Sequence, residues 1–137
     1  MSVVESQRKD AVMPSITKSF ELAKYTISIC SNEKVFPKRY RWCLTDTIVK
    51  TAVHISNYLV MANSVYVNSQ DMYRLRVKYQ VMAMALSKSL LSNMQLAKEV
   101  FGIDDDRMRY WTGLVYEVEN LISTCRKNEA VRYCAFK

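Results

Sequence analysis

Glycine and proline are scarce in this chain, two of each in 137 residues, which leaves little of the turn chemistry that strands and hairpins require. Histidine occurs once, at His54, and Cys30, Cys43, Cys125 and Cys134 show no C-x-x-C spacing. That excludes the usual zinc sets, so no metal or cofactor is expected. No apolar run approaches the roughly 18 residues that span a bilayer, so no membrane role is expected. The first residues, MSVVESQRKDAVMP, lack the apolar core of a secretory signal, which predicts a cytoplasmic protein. A Ser/His/Asp or Cys/His arrangement, a phosphate-cradling glycine loop and a spaced carboxylate pair are all missing. The chain reads as a non-enzyme.

What is present is helical. Half of the residues are hydrophobic, and Met, Leu, Ala, Lys, Arg and Ser dominate the periodic segments, which predicts one all-α domain over 1–137. Four helices follow from the spacing, at about 15–30, 38–66, 69–100 and 104–127, with a tail at 128–137 that has too little pattern to place. Residues before Pro14 have weaker periodicity and are expected to fray.

In the first helix Ile16, Phe20, Ala23, Ile27 and Cys30 repeat on one face. Pro37 suits the first turn of the second, where its missing N–H is not needed. There Leu44, Ile48, Ala52, Ile55, Leu59 and Ala62 form one stripe, and Trp42, Val49, Val53 and Val60 a second about 100° away. Asn68 or Ser69 can cap the third helix. Its first stripe is Met72, Leu75, Tyr79, Met82, Leu86, Leu90 and Ala97; its second is Tyr73, Val77, Val81, Met84 and Leu91. Gly102 suits a C-cap, and Asp104, Asp105 and Asp106 read as the acidic start of the fourth helix rather than as metal ligands. Met108, Trp111, Leu114, Val115, Val118, Ile122 and Cys125 give that helix one broad face.

Helices of this length with short connections predict an antiparallel up-down four-helix bundle. The second stripes exceed what a monomer needs, and they predict self-association through Trp42, Val49, Val53, Val60, Tyr73, Val77, Val81 and Met84. Cys30 and Cys125 read as small buried hydrophobes.

The charge is segregated. Residues 34–98 hold ten basic side chains against Asp46 and Asp71, whereas the rest of the chain is close to neutral, within a total of +7. The middle of the chain therefore offers a surface for a polyanion. Lys38, Arg39 and Arg41, interleaved with Tyr40 and Trp42, are the densest basic-aromatic cluster, a mixture that RNA binding uses. Lys50 lies on the polar side of the second helix, and Arg74 and Lys78 on that of the third. On the residues alone these six are either solvated charges or phosphate contacts. Trp42 is expected to be buried. Arg76 lies close to the apolar stripe and is expected in a buried or interfacial ion pair, and His54 is expected at a surface or interface.

Residues 36–63, FPKRYRWCLTDTIVKTAVHISNYLVMAN, also resemble a known family. Phe36, Pro37, Lys38, Arg41, Trp42, Leu44, Thr45, Ile48, Ala52, Val53 and Ile55 are similar to the second helix of the bundle proteins encoded in intervening sequences of large-subunit ribosomal RNA genes. Close relatives of those are the accessory variability determinant (Avd) proteins of diversity-generating retroelements, whose second helix closes with a Glu-Ala-Asn similar to Ala62-Asn63. Helix order and lengths match over about 15–127, but the motif is confined to the second helix. Leu121-Ile122-Ser123-Thr124-Cys125 departs from the Gly-Trp-Ile-like segment of the Avd branch, and Met61-Ala62-Asn63 from the Glu-Gly of many ribosomal-type members.

The Avd resemblance implies a barrel-like homopentamer with a basic surface, binding a reverse transcriptase and its template RNA. DNA or RNA–DNA hybrid is a further ligand class, and the role is support of mutagenic complementary-DNA synthesis without catalysis. The alternatives are a ribosomal intervening-sequence-type bundle, or a helix-docking scaffold with no nucleic-acid role.

Overall fold

The computed structural model describes residues 14–136; the N-terminal stretch expected to fray lies outside the described residues. These residues form four α-helices and no strand: α1 Pro14–Ser31, α2 Asp46–Ser64, α3 Gln70–Phe101 and α4 Asp105–Arg132. A 3₁₀ turn, Lys38–Tyr40, and a single π-turn, Arg41–Thr45, lead into α2, and a 3₁₀ turn at Cys134–Phe136 follows α4. Each helix packs on two others, α1 on α2 and α4, and α3 on α2 and α4, so the core is enclosed by a bundle. Among the described residues no helix is long and apolar enough to cross a membrane.

Local chemistry sets most helix ends. Ser69 accepts a hydrogen bond from the Met72 N–H at 3.2 Å and starts α3. Gly102, at φ 67°, sends its N–H to the Lys98 carbonyl and ends it, a left-handed conformation that glycine adopts without Cβ strain. Asp104 then accepts from the Arg107 N–H at 3.1 Å and opens α4. Two boundaries differ from the sequence-based expectation. The α-helical part of the second helix starts at Asp46 rather than near Lys38, after the 3₁₀ and π turns. At the other end α4 runs to Arg132, beyond the expected 127, because Glu129 is tied to α3 by a buried ion pair.

The core face of α2 is the expected one, with Leu44 of the π-turn and Ile48, Ala52, Ile55, Leu59 and Ala62 of the helix all buried. On α4, Met108, Trp111, Leu114, Val115, Val118 and Ile122 are buried as expected. The first helix is rotated. Its buried face is Ser15, Ile16, Ser19, Leu22, Thr26, Ile29 and Cys30, and Phe20 and Ile27 are exposed. Polar side chains can occupy that face because they satisfy themselves. Ser19 Oγ donates to the Ile16 carbonyl, and Thr26 Oγ1 donates to the Leu22 carbonyl while accepting from Trp111 Nε1 at 3.0 Å.

The third helix is corrected in the same sense. Of the expected first stripe only Leu90 and Ala97 lie on its core face: the buried strip is Arg76, Gln80, Ala83, Ser87, Leu90, Met94 and Ala97, stepping by four and three. The other residues of the expected stripes flank this strip, so Leu75, Tyr79, Val77 and Met84 are only half-buried and Met82 and Val81 are exposed. The polar strip between them turns inward because α4 supplies its partners.

Arg76 Nε and Nη2 donate to the two carboxylate oxygens of Glu129, each at 2.7 Å, while Nη1 donates to the Ala62 and Val65 carbonyls at the end of α2. Gln80 Nε2 donates to Glu129 at 2.9 Å, and Cys125 Sγ donates to it at 3.0 Å. Cys125 is thus a half-buried member of a polar network rather than the apolar filler expected; Cys30 is buried. Burial pushes the Glu129 carboxyl up, but the bonds from Arg76, Cys125 and Gln80 outweigh it and hold the group below the ordinary glutamate value. Burial first, and the Glu129 contact second, push the Cys125 thiol up to about 12. Farther along, Ser87 Oγ and Lys88 Nζ both donate to the buried Glu119, at 2.6 and 3.0 Å.

Candidate nucleic-acid interface

The basic-aromatic cluster sits on the lead-in to α2, a segment held from both sides. Val35 and Phe36 are buried before it, and Leu44 and Thr45 after it. Phe36 packs on Phe101 and Trp111, with ring centroids at 5.3 and 5.9 Å. Tyr40 packs on Phe101 at 5.4 Å, which fixes the 3₁₀ turn against the last residue of α3. The Cys43 thiol donates to the Tyr40 carbonyl at 3.3 Å. The five residues of the π-turn replace a first α-helical turn, a feature frequent at functional sites.

On this frame Lys38, Arg39, Arg41 and Trp42 are all exposed. Arg39 lies over the Tyr40 ring, its guanidinium carbon 5.0 Å from the centroid. Trp42 is the main correction: it is 80% exposed, the most exposed large hydrophobic side chain among the described residues. The π-turn points Leu44 and Thr45 inward and leaves Trp42 outside, so the burial expected from its place in a helical stripe does not occur in the protomer. Phe36, Leu44 and Trp111 are buried in the core instead.

Lys50 is exposed on α2 and shares a groove with Arg41, Thr45, Asp46 and Val49, bordered by Ile27, Cys30 and Ser31 of α1. Asp46 gives that groove one negative charge among its cations. Arg74 and Lys78 are exposed on α3, but the structure does not bring them to the same place. Tyr40 touches Phe101, whereas Arg74 lies at the opposite end of the 32-residue α3, about 40 Å away at 1.5 Å per residue. The six cations therefore form an end cluster of Lys38, Arg39, Arg41 and Lys50, and a separate pair on α3. None of the six forms an ion pair among the described residues, in contrast to Lys18, Arg76, Lys88, Lys98, Arg107 and Arg109.

The residues expected at a subunit contact are also divided. Trp42, Val60 and Val81 are exposed; Val49 and Met84 pack partly against the core; Val53 and Val77 are half-buried. Tyr73 turns its ring towards Tyr133, with centroids at 5.9 Å. Val49 faces the groove beside α1, while Tyr73 faces the end of α4. His54 is exposed. No group of three or more His, Cys, Asp or Glu side chains among the described residues is placed to hold a metal ion.

Sequence reasoning missed Glu129 and Glu119 as the partners that draw the polar strip of α3 inward. Their signal was available only in part: Glu129 falls one turn after Cys125 on the continued apolar face of α4. Comparison with protein-family models, with curated proteins and with solved structures gives no match.

Proposed function

We propose that this chain is a non-catalytic, cytoplasmic accessory protein of a diversity-generating retroelement, which binds a reverse transcriptase and its template RNA and supports mutagenic complementary-DNA synthesis. The observation that carries the reading is the set of six exposed cations, Lys38, Arg39, Arg41, Lys50, Arg74 and Lys78, without carboxylate partners among the described residues. Unpaired surface cations are free to neutralise phosphates and release their counterions. The resemblance of residues 36–63 to the Avd branch supplies the partner enzyme and the biological setting.

The proposed architecture is an up-down bundle assembled into a barrel-like homopentamer. Pairings between helices support the alternation of direction. Lys18 meets Glu117 and Thr26 meets Trp111; Arg76 meets Glu129, Ser87 meets Glu119 and Lys98 meets Asp105. As one number of each pair rises, the other falls. The exposed Val60 and Val81 support self-association, and the count of five rests on the resemblance.

The test is binding of a structured RNA to the protein over a series of salt concentrations. Affinity is expected to fall steeply with salt, and replacing Lys38, Arg39, Arg41, Arg74 and Lys78 by Ala to weaken binding and flatten the slope. Helicity and particle mass should not change. Equal binding by parent and variant at every salt concentration sinks the assignment of this surface. Absence of binding by the parent even at low salt favours a helix-docking scaffold instead. Light scattering that gives a mass near the 16.0 kDa of a single chain excludes the assembly. If a mass well above one chain is found, Val81→Glu is expected to lower it with little loss of helicity, since it places an unpaired charge in the contact.

A further inference from the structure

Trp42 presents an indole that is 80% exposed, on a segment whose backbone is fixed by buried Phe36 on one side and buried Leu44 on the other. Within four residues of it stand Lys38, Arg39 and Arg41, all exposed and all without an ion pair among the described residues. An exposed aromatic ring between cations meets the two surfaces of a single strand, the π-face of a base and the phosphates beside it. A duplex offers its phosphates but keeps its bases stacked on one another, so an indole gains little from it.

We infer that Trp42 is the stacking platform of a site for unpaired nucleotides at the α2 end of the bundle, with Lys38, Arg39 and Arg41 holding the flanking phosphates. This rests on the nucleic-acid reading above and narrows it. The end cluster discriminates single strands from duplexes, while Arg74 and Lys78, about 35–40 Å away along α3, add only attraction that ignores strandedness. Fixing the frame before binding makes the site effective: Tyr40 on Phe101 and the Cys43-to-Tyr40 hydrogen bond hold the turn, so little backbone freedom is lost when a base docks. The competing use of Trp42 is a contact with a second copy of the chain.

The experiment uses the full chain, a short oligouridine strand and a blunt RNA duplex of equal length, at low salt. Trp42→Ala is expected to weaken binding of the strand about tenfold or more, the effect of losing one base–aromatic stack, and to leave duplex binding within about twofold. Trp42→Phe should retain most of the affinity. Fluorescence gives an independent reading, because the chain has two tryptophans and Trp111 is fully buried. The strand should quench the parent, and the quench should vanish in Trp42→Phe while binding persists.

Equal losses on strand and duplex, or no loss on the strand while Lys38, Arg39 and Arg41 substitutions still weaken it, overturn the stacking role and leave the RNA reading intact. A fall in particle mass in Trp42→Ala without nucleic acid assigns the indole to a subunit contact and overturns it too. A parent that binds neither ligand overturns both this inference and the proposed function.

Discussion

The two ends of this bundle are held by different chemistry. At the end where the chain leads into α2, Phe36, Tyr40, Phe101 and Trp111 pack ring against ring, and a single hydrogen bond, Trp111 to Thr26, satisfies the polar atom this cluster buries. At the other end the end of α2 and the sides of α3 and α4 meet over a buried carboxylate, Glu129, and a guanidinium, Arg76, which also covers two carbonyls of α2. Apolar packing degrades gradually when atoms are removed. A buried ion pair fails abruptly when one partner is lost, because the remaining charge has no water to replace it.

The contrast can be broken from either side. The largest effect is expected at the aromatic end: Trp111→Ala removes a fully buried side chain and should cost about 4–5 kcal/mol in denaturant unfolding. Next comes the polar end, where Glu129→Ala strands the Arg76 charge and should cost about 3 kcal/mol. The double replacement Arg76→Met with Glu129→Leu should recover part of that loss. Recovery is expected to be incomplete, since the Ala62 and Val65 carbonyls then lose their donor. A double variant no more stable than Glu129→Ala removes the distinction between the two ends.

Smaller effects sharpen the comparison. Glu129 has a folded pKa below its ordinary value, so its contribution is fully present above that ordinary value and is lost as pH falls through the lower folded one. Unfolding midpoints followed from about pH 6 down to about pH 3 should therefore drop less steeply in Glu129→Gln than in the parent. The aromatic cluster, with no carboxylate in its ring contacts, should confer no such acid limb. Gly102→Ala is expected to cost about 1 kcal/mol, from backbone strain at φ 67° alone, since a Cβ there meets nothing within 4 Å. Trp42→Ala should be the mildest, within about 0.5 kcal/mol by thermal or denaturant unfolding, because its side chain lies outside the core.

Composition and spacing by themselves determined the helical class, the four segments, the core faces of α2 and α4, and the caps at Gly102 and Asp104, and narrowed the cap of α3 to Asn68 or Ser69. These follow from the scarcity of Gly and Pro, the helical period and the hydrogen-bonding reach of short side chains, all of which act locally. The pairing of Arg76 was also legible, since a cation beside an apolar stripe needs a counter-charge. Only the tertiary structure decided which partner that is, and that the polar strip Arg76, Gln80 and Ser87 faces inward while Leu75, Val77, Tyr79 and Met84 beside it stay half-buried. The same holds for α1, where Ser19 and Thr26 are buried and Phe20 and Ile27 are exposed.

The candidate site divides along the same line. Its cations could be named from the charge distribution, but their separation along α3 and the exposure of Trp42 could not. Periodicity records where apolar atoms recur along one helix. Whether a polar side chain can be buried, and whether an apolar one must be left outside, depends on what the neighbouring helix places opposite it.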